Sequence, residues 1–192
     1  MNIDITVFNR FNVIDSCSIE NILSSPTLYN AVKRSSCRFC YTKFVEYEML
    51  YKPRKITTIA SKNIQEKLKE ETSHKIFECH NLSIEDLQEV EILEKRKKLG
   101  RGELSSIAFA KKINQCFMTD DKKARVLGIE VLGKDKVQTT PHLVGYLFYI
   151  RELIDQDIAI VIKEHSDCNR PLGRYYNDAY LEGLRIHVMC GN

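Results

Sequence analysis

Two acidic positions in this chain follow directly on short apolar runs: Asp15 after Phe11-Asn12-Val13-Ile14, and the pair Asp120-Asp121 after Cys116-Phe117-Met118-Thr119. Runs of that kind read as strands, so these carboxylates stand at strand ends. Glu48 and Glu103 fall early in helical segments. In a parallel sheet, strand ends and helix starts share one edge, which brings all of these acids toward one crevice. Crowded carboxylates raise one another's pKa, and a cation relieves the conflict. Mg²⁺ and Mn²⁺ prefer oxygen ligands, and Mg²⁺ keeps waters, leaving room for a phosphate and an attacking water. Two such ions about 3.5 to 4 Å apart suit in-line phosphodiester hydrolysis. Taken singly, each acid is better explained as an ordinary surface charge; the combination points to metal-dependent chemistry.

The segments between these residues alternate. After the Asp15 strand, Ser18 can cap a short helix, and Pro26 to about Lys33 reads as a second, with Leu28, Ala31 and Val32 on one face. Phe39 to Phe44 precedes a helix from Val45 that Pro53 ends and that carries Glu48. Ser61 to Glu71 is helix-forming, and Lys75 to Cys79 reads as a strand. Ser83 and Asp86 form a capping-box pattern opening a helix that runs to Leu99. Gly100 and Gly102 separate it from a helix starting at Glu103, which leads to the Cys116-Phe117-Met118 strand. Lys122 to Leu127 reads as a short helix, Gly128 to Gly133 as a strand bounded by glycines, and Pro141 to Leu153 as an apolar helix. This beat predicts an α/β fold, a three-layer α/β/α arrangement around a central parallel sheet with right-handed crossovers. We expect one domain over 1–154 and a helical extension over 155–192 packed on it, with a turn at Arg170-Pro171-Leu172-Gly173.

Composition bounds the rest. The 192 residues suit one core, and 43% hydrophobic with 29% charged residues excludes a disordered chain. The formal net charge of +3 does not by itself demand a polyanion. Basic residues nevertheless gather at Lys95, Arg96, Lys97, Lys98 and Arg101, and at Lys52, Arg54 and Lys55, beside candidate site acids, as a phosphate backbone would require. Solvated helix ends explain such runs equally well. Seven cysteines, an odd number, and a polar opening stretch point to a reducing cytoplasm. No apolar run is long enough to span a bilayer.

Three segments carry a resemblance. Phe11-Asn-Val-Ile-Asp15-Ser-Cys-Ser, Leu99-Gly-Arg-Gly-Glu103-Leu-Ser-Ser-Ile-Ala-Phe-Ala and Met118-Thr-Asp-Asp-Lys-Lys-Ala-Arg125-Val-Leu-Gly-Ile, in that order, resemble the motifs of PIN-domain metal-dependent ribonucleases of the VapC-like or DUF3368-like kind. The likeness covers about Asn9 to Phe148. It implies a site in which Asp15, Glu48, Glu103 and Asp121 hold Mg²⁺ or Mn²⁺, with Asp120 competing with Asp121 and Glu46 lying near Glu48. It implies cleavage of single-stranded or structured RNA, in a toxin of a toxin–antitoxin pair or another defence nuclease. An antitoxin or other protein partner and a homodimer are compatible with it. Ser16 and Thr119 are placed to orient a carboxylate or a water, or simply to cap the next helix. Lys52, Arg54, Arg101 and Arg125 are the candidate phosphate contacts.

Other constellations are weaker. Cys37-x-x-Cys40 with Cys79-His80 could complete a zinc site in a nucleic-acid-binding module, although a second C-x-x-C or a spaced His pair is missing. Cys17 reads as a small packing residue rather than a nucleophile. Tyr146, Phe148 and Tyr149 read as helix core. A PIN-like fold whose acids are structural and whose extension recruits a partner is the non-enzymatic alternative.

Overall fold

The computed structural model describes residues 5–53, 58–71 and 76–189. Five strands, β1 (Phe11–Ile14), β2 (Arg38–Thr42), β3 (Phe77–His80), β4 (Cys116–Met118) and β5 (Val137–Gln138), form one sheet in the order β3-β2-β1-β4-β5. Every neighbouring pair is parallel. The chain steps outward from β1 to β3 and then returns to the other side of β1 to place β4. This reversal makes the carboxyl ends of β1 and β4 the point where a parallel sheet opens a crevice. The expected α/β class, with helices flanking a central parallel sheet, is the fold observed.

The helices are α1 (Ser16–Ser24), α2 (Pro26–Arg34), α3 (Lys43–Glu46), α4 (Ile59–Glu71), α5 (Ile84–Arg96), α6 (Arg101–Lys112), α7 (Lys122–Leu132), α8 (Thr140–Tyr149), α9 (Asp157–Asp167) and α10 (Gly173–Met189). Their starts are written in the sequence. Ser25 accepts from the Leu28 amide before Pro26 opens α2. Ser83 and Asp86 make both bonds of the expected capping box at α5. Asp121 accepts from the Lys123 and Ala124 amides at α7.

One element departs from the sequence reading. Gly128 to Gly133, expected as a strand, is mostly the second half of α7, and the fifth strand is Val137–Gln138. Gly128 is a packing residue, because a Cβ there would stand 3.0 Å from Phe117 Cδ1 and 3.3 Å from Val137 Cγ2. Only the absence of a side chain lets the helix lie this close to the sheet. Gly133, at φ +92°, then ends the helix in a backbone region that suits glycine.

Other boundaries shift by a few residues. Asp15, rather than Ser18, supplies the side-chain acceptor at the start of α1. The helix expected from Val45 opens at Lys43 under a Thr42 cap and passes into a π-helical turn, Tyr47–Tyr51, that carries Glu48. α5 stops at Arg96 rather than Leu99, and α6 begins at Arg101, which makes Glu103 its third residue. Lys75, expected in the third strand, lies outside the described residues.

The chain divides into two compact units. Phe11–Glu20 with Arg38–Gln138 contains the whole sheet. Its core gathers Val13 and Cys40 from the sheet with Val90, Leu93, Leu104, Ile107, Phe109, Phe117 and Leu127, joining α5, α6 and α7 to the strands. Burying each large side chain of this set contributes roughly 1.5 to 3 kcal/mol. Leu104 through Ala110 of α6 are all buried, with the large Leu104, Ile107 and Phe109 in the core.

The second unit comprises Met1–Arg10, Asn21–Cys37 and Thr139–Asn192. Its α8 and α10 cross at Gly145 and Gly183, where a Cβ on Gly183 would stand 2.8 Å from the Gly145 carbonyl. The stretch after residue 155 forms two helices, α9 and α10, separated near the expected Arg170 to Gly173 turn.

Candidate functional site

The first unit holds the candidate acids at the carboxyl end of its sheet. Asp15 follows β1 and is 1% exposed. Its Oδ1 accepts the Ser18 amide at 2.9 Å, and its Oδ2 accepts the Thr119 hydroxyl at 2.5 Å. Thr119, the residue after β4, also accepts the Asp121 amide at 3.1 Å through the same hydroxyl oxygen. The ends of β1 and β4 are thus tied through one side chain. Burial pushes the Asp15 carboxyl up to about 7; its hydrogen bonds to Thr119 and Ser18 oppose that shift, and the neighbouring charge of Asp120 adds to it.

Asp120 receives the Ser18 hydroxyl on Oδ2 at 3.3 Å. Asp121 turns to the start of α7, where Oδ1 accepts two amides at 2.7 and 2.8 Å. The two consecutive acids therefore face different work: Asp120 is held toward Asp15, and Asp121 closes a helix.

Glu48 sits in the π turn, a local winding often found at functional sites. Its Oε1 accepts the Gly102 amide at 3.2 Å, and its Oε2 stands 3.5 Å from the Ser16 hydroxyl. Gly102 has no room for a side chain here, because a Cβ would approach Glu48 Cδ to 2.8 Å. Glu46, the other acid of that segment, pairs instead with Lys43 at 2.7 Å. Glu103 bends back to accept the Gly100 amide on Oε2 at 2.9 Å. Burial raises the Glu103 carboxyl above its ordinary range; the Gly100 bond opposes the rise, the charges of Asp121 and Glu48 reinforce it, and Lys123 counters it.

Three helix starts, those of α1, α6 and α7, thus direct amide N–H groups at Asp15, Glu48, Glu103 and Asp121. Such ends carry partial positive charge and stabilise anions. Asp15 feels the charge of Asp120, and Glu103 feels the charges of Asp121 and Glu48. Among the described residues, no three His, Cys, Asp or Glu side chains are grouped closely enough to hold a metal ion.

The basic candidates are spread more widely. Arg101 is the exposed first residue of α6, next to the amides that hold Glu48 and Glu103. Arg125 is half-buried in the first turns of α7, and Lys52 is exposed directly after the π turn. Arg54 and Lys55 lie outside the described residues. Arg96 faces Glu130 at 3.7 Å, so part of the other basic run is met within the protein.

Sequence reasoning missed Ser18 and the amides of Gly100 and Gly102. Ser18 looked like a helix cap, and backbone donors have no sequence signature beyond the glycines that let a carboxylate approach. The cysteine cluster gains no support. Burial pushes the Cys40 thiol up to about 12 and the Cys79 thiol up to about 11, which keeps both protonated in the metal-free protein. Comparison with protein-family models, with curated proteins and with solved structures finds no match for this chain.

Proposed function

We propose that this chain is a Mg²⁺- or Mn²⁺-dependent endoribonuclease that hydrolyses RNA phosphodiester bonds at the carboxyl end of its sheet. One observation carries the reading: Asp15 is buried at the β1/β4 reversal beside Asp120 with its carboxyl pushed up to about 7, while Glu103 of the same unit feels the charges of Asp121 and Glu48. A carboxyl so placed is only partly ionised at neutral pH, and a divalent ion would restore the charge by supplying what the site lacks. Asp15, Glu48, Glu103 and Asp120 or Asp121 would hold it. When bound, the ion supplies Lewis-acid stabilisation of phosphate charge and an activated water for in-line attack.

The protein's own groups do the positioning. Thr119 fixes Asp15, and the Gly102 amide and Ser16 hold Glu48. Arg101, Arg125 and Lys52 would draw the RNA backbone, with Arg54 as a further candidate. The six described cysteines are free thiols, which suits a reducing cytoplasm, and no described helix is long and apolar enough to cross a membrane. A toxin with a protein antitoxin, or another defence nuclease, is the biological setting that the motif likeness suggests, and a homodimer is compatible with it.

A second reading rests on the hydrogen bonds of Glu103 and Asp121, whose carboxylates already cap α6 and α7: a PIN-like module that binds RNA or a protein without cleaving. The deciding experiment incubates the purified protein with RNA, with and without Mn²⁺, alongside Asp15→Asn and Glu103→Gln variants of verified fold. Mn²⁺-dependent cleavage that both substitutions abolish supports the nuclease. RNA retained uncut in Mn²⁺ supports the binding module.

A further inference from the structure

We infer that a pocket lined by Lys43, Phe44, Tyr47, Asn81, Leu82 and Leu87 takes one unstacked nucleotide of a single-stranded RNA, with its base on the Tyr47 ring. This rests on RNA being the substrate, as proposed above, and needs no bound metal. The pocket lies wholly within the first unit and has a volume of about 380 Å³. That suits one small ligand, since such sites occupy roughly 300 to 1,000 Å³. An A-form helix keeps its bases stacked inside and cannot deliver one without unpairing it.

The place of the pocket follows from the sheet. Lys43, Phe44 and Tyr47 come shortly after β2, and Asn81 and Leu82 directly after β3. Every neighbouring pair of strands is parallel, so these residues share the carboxyl edge with Asp15, and β2 is the strand next to β1. Tyr47 and Glu48 are consecutive in the π turn: Tyr47 lines the pocket, and Glu48 turns to Gly102 and Ser16. A base seated on Tyr47 is therefore one residue along the chain from a candidate acid.

The lining chemistry selects the occupant. Phe44 and Tyr47, three residues apart in one helical stretch, supply rings of the kind on which bases stack, and Tyr47 is 52% exposed. Leu82 and Leu87 add apolar wall, and the exposed Asn81 brings an amide donor and a carbonyl acceptor, the groups that read a base edge. Among the described residues lining the pocket, the charged one is a cation, Lys43. Glu46 pairs with it at 2.7 Å but is 16% exposed against 51% for Lys43, so the ammonium is what an incoming ligand meets. Rings, an amide and a cation with no carboxylate among them match the base and phosphate of a nucleotide. An apolar peptide would leave the amide and the ammonium unused.

The test measures binding of a short mixed-sequence single-stranded RNA to the full chain by fluorescence anisotropy in EDTA, for wild type, Tyr47→Ala, Tyr47→Leu, Tyr47→Phe and Asn81→Ala. Circular dichroism checks the fold of each variant. Tyr47→Ala should weaken binding by about five- to a hundredfold, and Tyr47→Phe, which keeps the ring, should bind like wild type. Tyr47→Leu keeps apolar bulk without a π face and should behave as the alanine variant does. Asn81→Ala should weaken binding by about two- to tenfold. A 5-iodouridine in the strand, irradiated on the protein, should cross-link to Phe44 or Tyr47. The same RNA annealed to its complement should bind less tightly and give no such cross-link. Tyr47→Ala or Tyr47→Leu binding as tightly as wild type, or cross-links only outside the pocket, overturns the inference; Mn²⁺-dependent cleavage by wild type would then leave the nuclease reading standing. A dimer that Tyr47→Ala dissociates gives the pocket to a second copy and overturns the inference as well. RNA held in the pocket yet uncut in Mn²⁺ keeps the inference and removes the nuclease. Neither binding nor cleavage by wild type overturns both.

Discussion

The hydroxyl of Thr119 donates to Asp15 Oδ2 at 2.5 Å, joining the ends of two adjacent strands through a single buried contact. The same oxygen accepts the Asp121 amide, so the hydroxyl proton has one direction in which to point. After burial itself, this bond is the largest influence on the Asp15 carboxyl, and it acts to keep the group ionised. Thr119→Val preserves shape and removes the donor. We expect the Asp15 carboxyl to move further upward and Mn²⁺-dependent cleavage at pH 7 to fall by about ten- to a hundredfold. Assays from pH 6 to 9 check this, since part of the loss should return as pH rises and Asp15 ionises.

Asp15 also makes stability depend on pH in the metal-free protein. Its carboxyl rises from 3.8 to about 7 on folding, so between those values the folded state holds a proton that the unfolded state has released. Stability from this group is full below pH about 4, declines as pH climbs, and is lost above about 7, a difference on the order of 4 kcal/mol. Asp15→Asn removes the titration. In the absence of metal, the variant should therefore gain melting temperature relative to wild type on going from pH 4 to pH 8. Mg²⁺ added at pH 8 should raise the melting temperature of wild type and leave Asp15→Asn unmoved.

His165 gives the opposite slope. It is fully buried, with Nδ1 2.8 Å from the Val161 carbonyl and Nε2 3.0 Å from the Tyr176 hydroxyl. Nε2 also lies 2.8 Å from the Asn21 carbonyl, so both ring nitrogens face backbone oxygens. Burial lowers its pKa below 6.5, against the upward pull of its backbone contacts. Stability contributed by this group is present above pH 6.5 and lost as pH falls through its folded value. His165→Gln should be less stable overall because it loses this network, yet its stability should fall less than that of wild type between pH 7 and pH 5 in denaturant titrations.

The parallel sheet was legible because its features are local and periodic. Asp15 and Thr119 end apolar runs, and the capping box at Ser83 and Asp86 is written in adjacent residues. The failures came where a residue's meaning depends on a distant partner. Gly128 looked like a strand boundary but is a contact point with Phe117 and Val137, which no local window reveals. Partners of the paired acids differ in the same way: Glu46 meets Lys43 within its own turn, whereas Glu48 meets Gly102 and Asp120 meets Ser18 from far along the chain. Sequence spacing brought the acids to one edge, and only packing revealed which donors hold each one.

Gly102 offers a test of whether the Glu48 position matters to the chemistry. An added methyl would stand 2.8 Å from Glu48 Cδ and 3.1 Å from its Oε1, so Gly102→Ala must drive the carboxylate out of its place on the α6 amides. Alanine is a better helix former than glycine by roughly 1 kcal/mol, so the helix itself should tolerate the change and the melting temperature should hold within a few degrees. Cleavage should nevertheless drop by tenfold or more if Glu48 helps hold the cation. The control is the pair Glu48→Ala and Glu48→Ala/Gly102→Ala. With the carboxylate already gone, the added methyl meets nothing it can displace, and the two variants should cleave at the same residual rate. Full activity in Gly102→Ala with its fold intact would remove Glu48 from the site and leave Asp15, Asp120 and Glu103 to account for any metal bound.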